Sequence, residues 1–366
     1  MAQPTLLQAA HLAAGARMGE ADGWLQPLDY GDPAGEYAVL GDGAGLVDLS
    51  ARGKLRLGGA DRARFLHNLL SNDILALRPG EGCHAAKLSL QGKMEAGLRV
   101  LCLPDEIRCD LEPGPTAGVY ASLSKHLVRE KVQLEDVSAR WALLALQGPR
   151  AGAVLHAAGV ETAPLGAPLR HTEATLAGMA VLVVRADHCG ADGFDVWVQA
   201  PDAAPAWATL CGAGARPVGW QMLDLRRIEA GIPRATTEIT GETFPMEAGL
   251  DAGWISYTKG CYLGQETISR IHHLGHVNRQ LCGLLFDDDR LPPGGARLFA
   301  ADKQVGWVTS TAWSPARGHA VGLAYVHREH ALPGSVLSVE TPAGRGTATV
   351  APLPLAAATQ ARPNPE

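Results

Sequence analysis

The 366-residue chain has no uninterrupted apolar stretch longer than six residues; the longest are Trp141–Leu146 and Met179–Val184. A membrane-crossing helix needs about 18–20 apolar residues, so a transmembrane helix is excluded. Met1–Gln8 lacks the basic cluster that opens a secretory signal, and a cytoplasmic protein is expected. Positive charge is not in excess: 32 Lys and Arg stand against 38 Asp and Glu, for a net charge of −6. Strong direct nucleic-acid binding needs a basic face and is not expected. The seven cysteines, at 83, 102, 109, 189, 211, 261 and 282, form no CxxC pair. Their odd number suits a reducing compartment better than a disulfide framework. A cluster of iron and sulfur asks for about four thiolates with some close spacing, so the chain is not expected to carry one of its own.

What is present is a packed globular composition, 46% hydrophobic and 19% charged, with a length that suits two to three domains. Residues 1–45 are Ala- and Gly-rich, with one helix expected over Thr5–Arg17 and regular structure expected from Leu46 onward. Lys54–Leu57 alternates like a half-buried strand. Asp61 can cap a helix that carries Phe65, Leu66, Leu69 and Leu70 on one face. A hairpin turning at Gln91-Gly92 and a helix over Gly118–Val128 follow. A similar order restarts at Trp141, with a turn at Gln147–Pro149, a helix over Arg150–Ala158, strands near Val181–Val184 and Phe194–Val198, and a helix over Asp202–Cys211. The pattern predicts two related α+β units, 46–138 and 139–276. Met222, Leu225 and Ile228 mark a helix over Gly219–Ala230, closed by Gly231. From residue 277 to 350, turn residues recur about every ten positions, which predicts a small all-β barrel or sandwich. Residues 351–366 are expected to form a loose tail.

The most informative stretch is Lys259-Gly-Cys-Tyr-Leu-Gly-Gln-Glu266. Gly260 and Gly264 flank a Cys-Tyr pair, Cys261 and Tyr262, ahead of a helix whose Ile268 and Ile271 share a face. A thiol just before a helix N-terminus, with Lys259 close in sequence, is in surroundings that favour the thiolate. Glu266 falls in the first turn, where a carboxylate is favoured. The alternative is a structural cysteine in a Gly-rich turn. His272, His273 and His276 with Cys261 and Cys282 lack the paired spacings of a zinc site, and no metal site is expected.

Lys259–Glu266 resembles the K-G-C-Y-x-G-Q-E signature of the YgfZ proteins, folate-binding relatives of the glycine-cleavage T-protein (aminomethyltransferase). Leu225–Ile232 resembles that family's R-x-E-A-G helix end, and Pro245–Leu250 its P-x-E-A-G-L loop. Gly306–Ser310 and Val321–Val326 resemble two segments of its C-terminal barrel. The resemblance implies two ferredoxin-like α+β units followed by a small β-barrel, arranged as a ring with tetrahydrofolate in a central channel. The segment 1–45 would pack on the folate-binding part. It also implies a folate-binding accessory protein that supports iron–sulfur cluster assembly or maintenance. The partners would be iron–sulfur client enzymes, such as those that thiolate tRNA, or assembly factors. Cys261 with Lys259 would then be the functional pair, and Gly260, Tyr262, Gly264, Gln265 and Glu266 the motif around them.

Folate recognition calls for a carboxylate on the pterin and a cation on the glutamate tail. Arg227 matches the arginine of the R-x-E-A-G motif and is the expected folate contact. Where the T-protein has Gly-Glu-Asp-Gly-Phe-Glu, this chain reads Gly190-Ala-Asp-Gly-Phe-Asp195, so Ala191 replaces the pterin glutamate and Asp192 is the candidate substitute. Where T-proteins have a Gly-Gly-Ile-x-Asp-Asp segment, this chain has Gly92-Lys-Met-Glu-Ala96, which retains Glu95 and loses the second carboxylate. These losses set the expectation against aminomethyl transfer and against an enzyme. The alternative is a folate-dependent one-carbon transferase, an aminomethyltransferase or a demethylase.

Overall fold

The computed structural model describes residues 2–341 and 344–355, so most of the expected tail, 356–366, lies outside the described residues. The chain divides into two compact units. The first holds Met1–Leu223, Arg234–Pro245 and Leu250–His276; the second holds Asp224–Pro233, Met246–Gly249 and Val277–Glu366.

Regular structure begins well before Leu46. Strand β1 (Gln3–Pro4), helix α1 (Gln8–Ala13), strands β2 (Arg17–Ala21) and β3 (Trp24–Asp29), helix α2 (Pro33–Asp42) and strand β4 (Gly45–Asp48) precede or span that point. The helix expected to reach Arg17 stops at Ala13, and Arg17 opens a strand instead. The signal for this lay in Asp22-Gly23, both at positive φ, which turn β2 back on β3 as a tight hairpin.

The two expected α+β units are present and repeat one order of elements. In the first, β5 (Gly53–Gly58), α3 (Arg62–Leu69), β6 (Glu81–Leu88), β7 (Met94–Cys102), β8 (Glu106–Leu111), α4 (Thr116–Lys125) and β9 (Gln133–Asp136) build an antiparallel sheet of order β6-β7-β8-β5-β9. In the second, β10 (Trp141–Gln147), α5 (Ala151–Ala157), β11 (His171–Leu176), β12 (Met179–Arg185), β13 (Gly193–Gln199), α6 (Ala203–Gly212) and β14 (Arg216–Pro217) build a sheet of order β11-β12-β13-β10-β4-β14. Strand β4 lies antiparallel to β10, in the place that β9 takes beside β5. Leu46–Asp48, expected to open the first unit, therefore belong to the second sheet. Helix α7 (Trp220–Ala230) and the closing Gly231 fall where the threefold spacing put them, and α8 (Gln265–Leu274) follows the signature segment. None of the described helices is long and apolar enough to cross a membrane.

The second unit contains the expected barrel, closed by β15 (Arg279–Phe286), β16 (Arg297–Ala300), β17 (Lys303–Ser314), β18 (His319–His327), β19 (Val336–Thr341) and β20 (Gly344–Ala351). Leu284, Phe286, Leu298, Val308, Val326, Leu337 and Val339 fill its interior, as side chains do in a small barrel.

In the first unit the helices cover one face of each sheet, and strand alternation turns the other faces toward each other. Ala96, Leu98 and Val100 of β7 pack under α3 and α4, while Leu101 meets Leu143, Leu182 and Trp197 of the second sheet. Beyond this apolar contact the facing surfaces turn polar. Arg99 of β7 reaches Asp110 of β8, with Nε donating at 3.1 Å, and Asp195 of β13 at 2.7 Å. Arg52 donates to Asp110 from the link between β4 and β5 at 2.6 and 2.9 Å. Burial alone would raise the Asp110 and Asp195 carboxyls. The guanidinium charges outweigh it and hold both well below the usual carboxylate range. Removing Arg99 leaves two buried carboxylates short of a cation, and Arg99→Met should cost about 3–5 kcal/mol in denaturant unfolding. Carboxyls depressed in the folded state add stability above about pH 3.9 and lose it as pH falls toward their folded values. Wild type should thus be more stable at pH 7 than at pH 3, and Arg99→Met should lose that difference. Unchanged unfolding at pH 7 would show that the bridge does not hold the sheets.

Candidate functional site

At the open end of the facing surfaces, β7 presents Arg99, Gly97 and Glu95 in a row. At about 3.3 Å per residue, Glu95 and Arg99 lie about 13 Å apart along the strand. The Glu95 carboxylate is 40% exposed and accepts from Lys87 Nζ at 2.9 Å. Its neighbour Ala96 faces the apolar core, so a carboxylate at position 96 would be buried there. Between Glu95 and Arg99, Trp254 lies over Gly97; a Cβ on that glycine would come within 2.6 Å of the indole. The indole stacks on His84 with centroids 4.9 Å apart. Burial, reinforced by the Arg99 charge, brings His84 down to about 4, so its ring is neutral at pH 7.

His188 and Asp195 complete this end. His188 Nε2 sits 2.9 and 3.2 Å from the two Asp195 oxygens, and its backbone N–H donates to Gln147 Oε1 at 2.9 Å. Asp187 Oδ1 accepts from the N–H groups of Cys189, Gly190 and Ala191, which fixes the loop that carries His188. Asp192 points elsewhere. It is 71% exposed, paired with Arg185 at 2.6 Å, and borders a cleft of about 310 Å³ that Gly166, Pro168 and Ala191 also line. Sequence reasoning weighed positions 191 and 192 and missed the carboxylate on the facing surface, Asp195. Arg52, His84, Arg99, Asp110 and His188 were missed as well. A single charge inside an otherwise apolar run was the usable signal, as in Phe194-Asp-Val-Trp-Val198 and Leu98-Arg-Val-Leu101.

The signature segment is anchored to the first sheet. Ser71 Oγ donates to Trp254 O at 2.7 Å, Asn72 Nδ2 to Gly253 O at 2.8 Å, and Ser256 N–H to Ser71 O at 3.0 Å. Lys259 Nζ donates to the carbonyls of Leu70 at 2.6 Å, Asn72 at 3.0 Å and His67, at the C-terminal end of α3. Burial pulls this ammonium down to about 8, against the opposing charge of Asp73. Lys259 serves as an anchor: its ammonium is spent on carbonyls at and just beyond the helix end. Gly264 caps α8 at φ +83°, with its Cα so close to the 88–92 turn that a Cβ would lie 2.4 Å from Ser89 O. Tyr262 is buried, Gln265 opens α8, and Glu266 pairs with Arg270 at 3.0 Å. Cys261 is exposed, four residues ahead of the helix, and a Cβ on Gly260 beside it would point into open space. His272 stacks on Tyr257 at 3.8 Å, with His273 edge-on to both.

Arg227 lies in the second unit, buried. Its Nε donates to Asp224 Oδ1 at 2.8 Å and its Nη2 to Ser310 Oγ at 2.7 Å. Two motifs read separately in the sequence, the helix end around Arg227 and Gly306–Ser310, thus meet through the Arg227–Ser310 hydrogen bond. The third, Pro245–Leu250, contributes Glu247, which pairs with Arg279 at 3.0 Å.

Residues 7–256 match the family described as GCVT N-terminal domain, and residues 279–356 match the glycine cleavage T-protein C-terminal barrel domain. The chain is 32% identical to the aminomethyltransferase of Saccharopolyspora erythraea over 361 residues, covering 94% of each chain. It is 32% identical to that of Geobacillus thermodenitrificans, covering 93% of this chain and 94% of the relative. The crystal structure of glycine cleavage system aminomethyltransferase T from Bartonella henselae superposes with a TM-score of 0.89 at 24% identity, over 97% and 98% of the two chains, and bears out the fold. The expectation that set this chain against enzymes is overturned, because relatives matched over nearly their whole length are named as an enzyme. The family's tetrahydrofolate cofactor agrees with the folate expectation; the narrower YgfZ assignment is not reached by these matches. The chain belongs to the glycine cleavage T-protein family.

Proposed function

We propose that the protein is a folate-dependent one-carbon transferase of the aminomethyltransferase type. The observation that carries this reading is Glu95, a half-exposed carboxylate beside the His84–Trp254 stack on the facing surface of the first sheet. A carboxylate can take the paired N–H groups of a pterin edge, and an aromatic wall suits its ring. Arg227 is carried forward as a folate contact on the family resemblance, and Asp192 as the weaker pterin candidate because it points away from the facing surface, into the cleft beside Arg185. The test is calorimetric titration with tetrahydrofolate, together with turnover of an aminomethyl donor. Wild type should bind saturably and turn over. Glu95→Gln should bind about 10- to 100-fold more weakly, the worth of a hydrogen bond to a charged group. Absence of wild-type binding at millimolar folate would overturn the reading, as would full affinity in Glu95→Gln.

A second reading, support of iron–sulfur enzymes in the manner of YgfZ proteins, rests on the exposure of Cys261 in the anchored K-G-C-Y loop. Its partners would be client enzymes or assembly factors, and seven free thiols suit a reducing compartment such as the cytoplasm. Cys261→Ser separates the two readings. If the transferase reading is complete, folate turnover persists and cluster-enzyme activity in a strain lacking the protein is restored by the variant. If the second reading holds, that restoration is lost.

A further inference from the structure

On β6, Lys87 carries its charge into the protein interior. The side chain is 1% exposed, and a buried ammonium is costly unless its donors find good partners. Among the described residues, Nζ donates to Leu88 O at 3.2 Å and to Glu95 Oε2 at 2.9 Å, and to nothing else. Glu95 is half-exposed, so the pair does not neutralise a charge inside the core. It spans the boundary between the core and the facing surface. An apolar side chain of similar length would fill the same place without the cost of burying the ammonium. What the ammonium adds is a hold on one carboxylate.

The surrounding strands fix everything except that carboxylate. Lys87 of β6 pairs with Ala96 of β7, and Leu88 pairs with Met94, which leaves Glu95 as the extra residue of a β-bulge. Met94 and Ala96, on either side of it, are both buried. The Met94 N–H donates to Thr243 O at 2.9 Å. On its other edge Lys87 is bridged to Leu70. Ser71, the next residue, accepts from Ala86 N–H at 2.8 Å and donates to Trp254 O at 2.7 Å. The lysine and the aromatic wall therefore share one frame. Within it the Glu95 side chain still has three rotatable bonds. Lys87 is its only tether among the described residues, and Glu95 Oε1 has no partner there.

We propose that Lys87 is a positioning residue for folate binding: through Oε2 it holds the Glu95 carboxylate in one orientation and leaves Oε1 free for the ligand. This rests on the transferase reading above, in which Glu95 meets the pterin. A carboxylate held before the ligand arrives does not lose its side-chain freedom on binding. Oε2 keeps a second lone pair, so both oxygens can still accept from paired N–H groups.

The experiment is tetrahydrofolate titration, with denaturant unfolding, of wild type, Lys87→Met, Glu95→Gln and the double variant. Lys87→Met should bind about 3- to 10-fold more weakly than wild type, the worth of ordering one flexible side chain. It should unfold at the wild-type denaturant concentration or above it, because a buried charge has been removed. In the Glu95→Gln background the same substitution should change affinity less than about 2-fold, since an amide cannot accept from both N–H groups whichever way it is turned. A merely structural lysine would lower affinity equally in both backgrounds, and that result would overturn the proposal. Wild-type affinity in Lys87→Met would overturn it as well. Both results leave the transferase reading standing, provided that wild type binds and Glu95→Gln is weakened. Wild type that does not bind, or Glu95→Gln with full affinity, removes that reading and this proposal with it. Lys87→Gln, a shorter side chain that keeps a donor, gives the same two-background comparison if Lys87→Met does not fold.

Discussion

The Arg99 guanidinium is the point on which the first unit turns. It joins Asp110 of one sheet to Asp195 of the other, at the edge where the apolar contact around Trp197 ends. Two sheets held by an apolar surface alone could slide; a forked cation between two buried carboxylates fixes their register. The same charge holds Asp195 ionised and still, and suppresses protonation of His84. One residue thereby sets both the geometry and the electrostatics of the surface on which Glu95, Trp254 and His188 sit.

The signature segment has a comparable economy. Its lysine closes the C-terminal end of α3, its second glycine allows the backbone to pass against Ser89 O, and its tyrosine is buried. Most of the motif is thus explained by the need to fasten one loop to one helix end and one hairpin. Cys261 is the member that this fastening leaves exposed. A motif can be diagnostic of a family and still be largely architecture, so likeness in it speaks first to how a loop is held.

Much of the fold was legible because its signals are local. The threefold spacing of Met222, Leu225 and Ile228 is a property of one helix face, and the ten-residue rhythm of turns after residue 277 belongs to neighbouring strands. The N-terminal hairpin was equally local, but its Asp22-Gly23 turn lay in a stretch read only for composition. The site was legible in part. Cys261 and Glu95 stood out as residue types, while the partners of Arg99 did not: Asp195 lies 96 positions further along, and no periodicity links the two. Leu46–Asp48 were assigned to the wrong sheet for the same reason, since β4 finds β10 across an entire intervening unit.

That pairing also shapes the order of events as the chain is made. Strand β4 leaves the ribosome before any residue of the first sheet, yet its neighbour β10 follows only after β9 is complete. The first sheet can close on its own strands while β4 waits with both edges unpaired, since β10 and β14 both come later. The second sheet closes around it only later, a long-range step of the kind that slows folding. The four-residue link from Leu49 to Arg52, which ends at the arginine bound to Asp110, is therefore a tether: it keeps a waiting strand beside the surface it will help to complete.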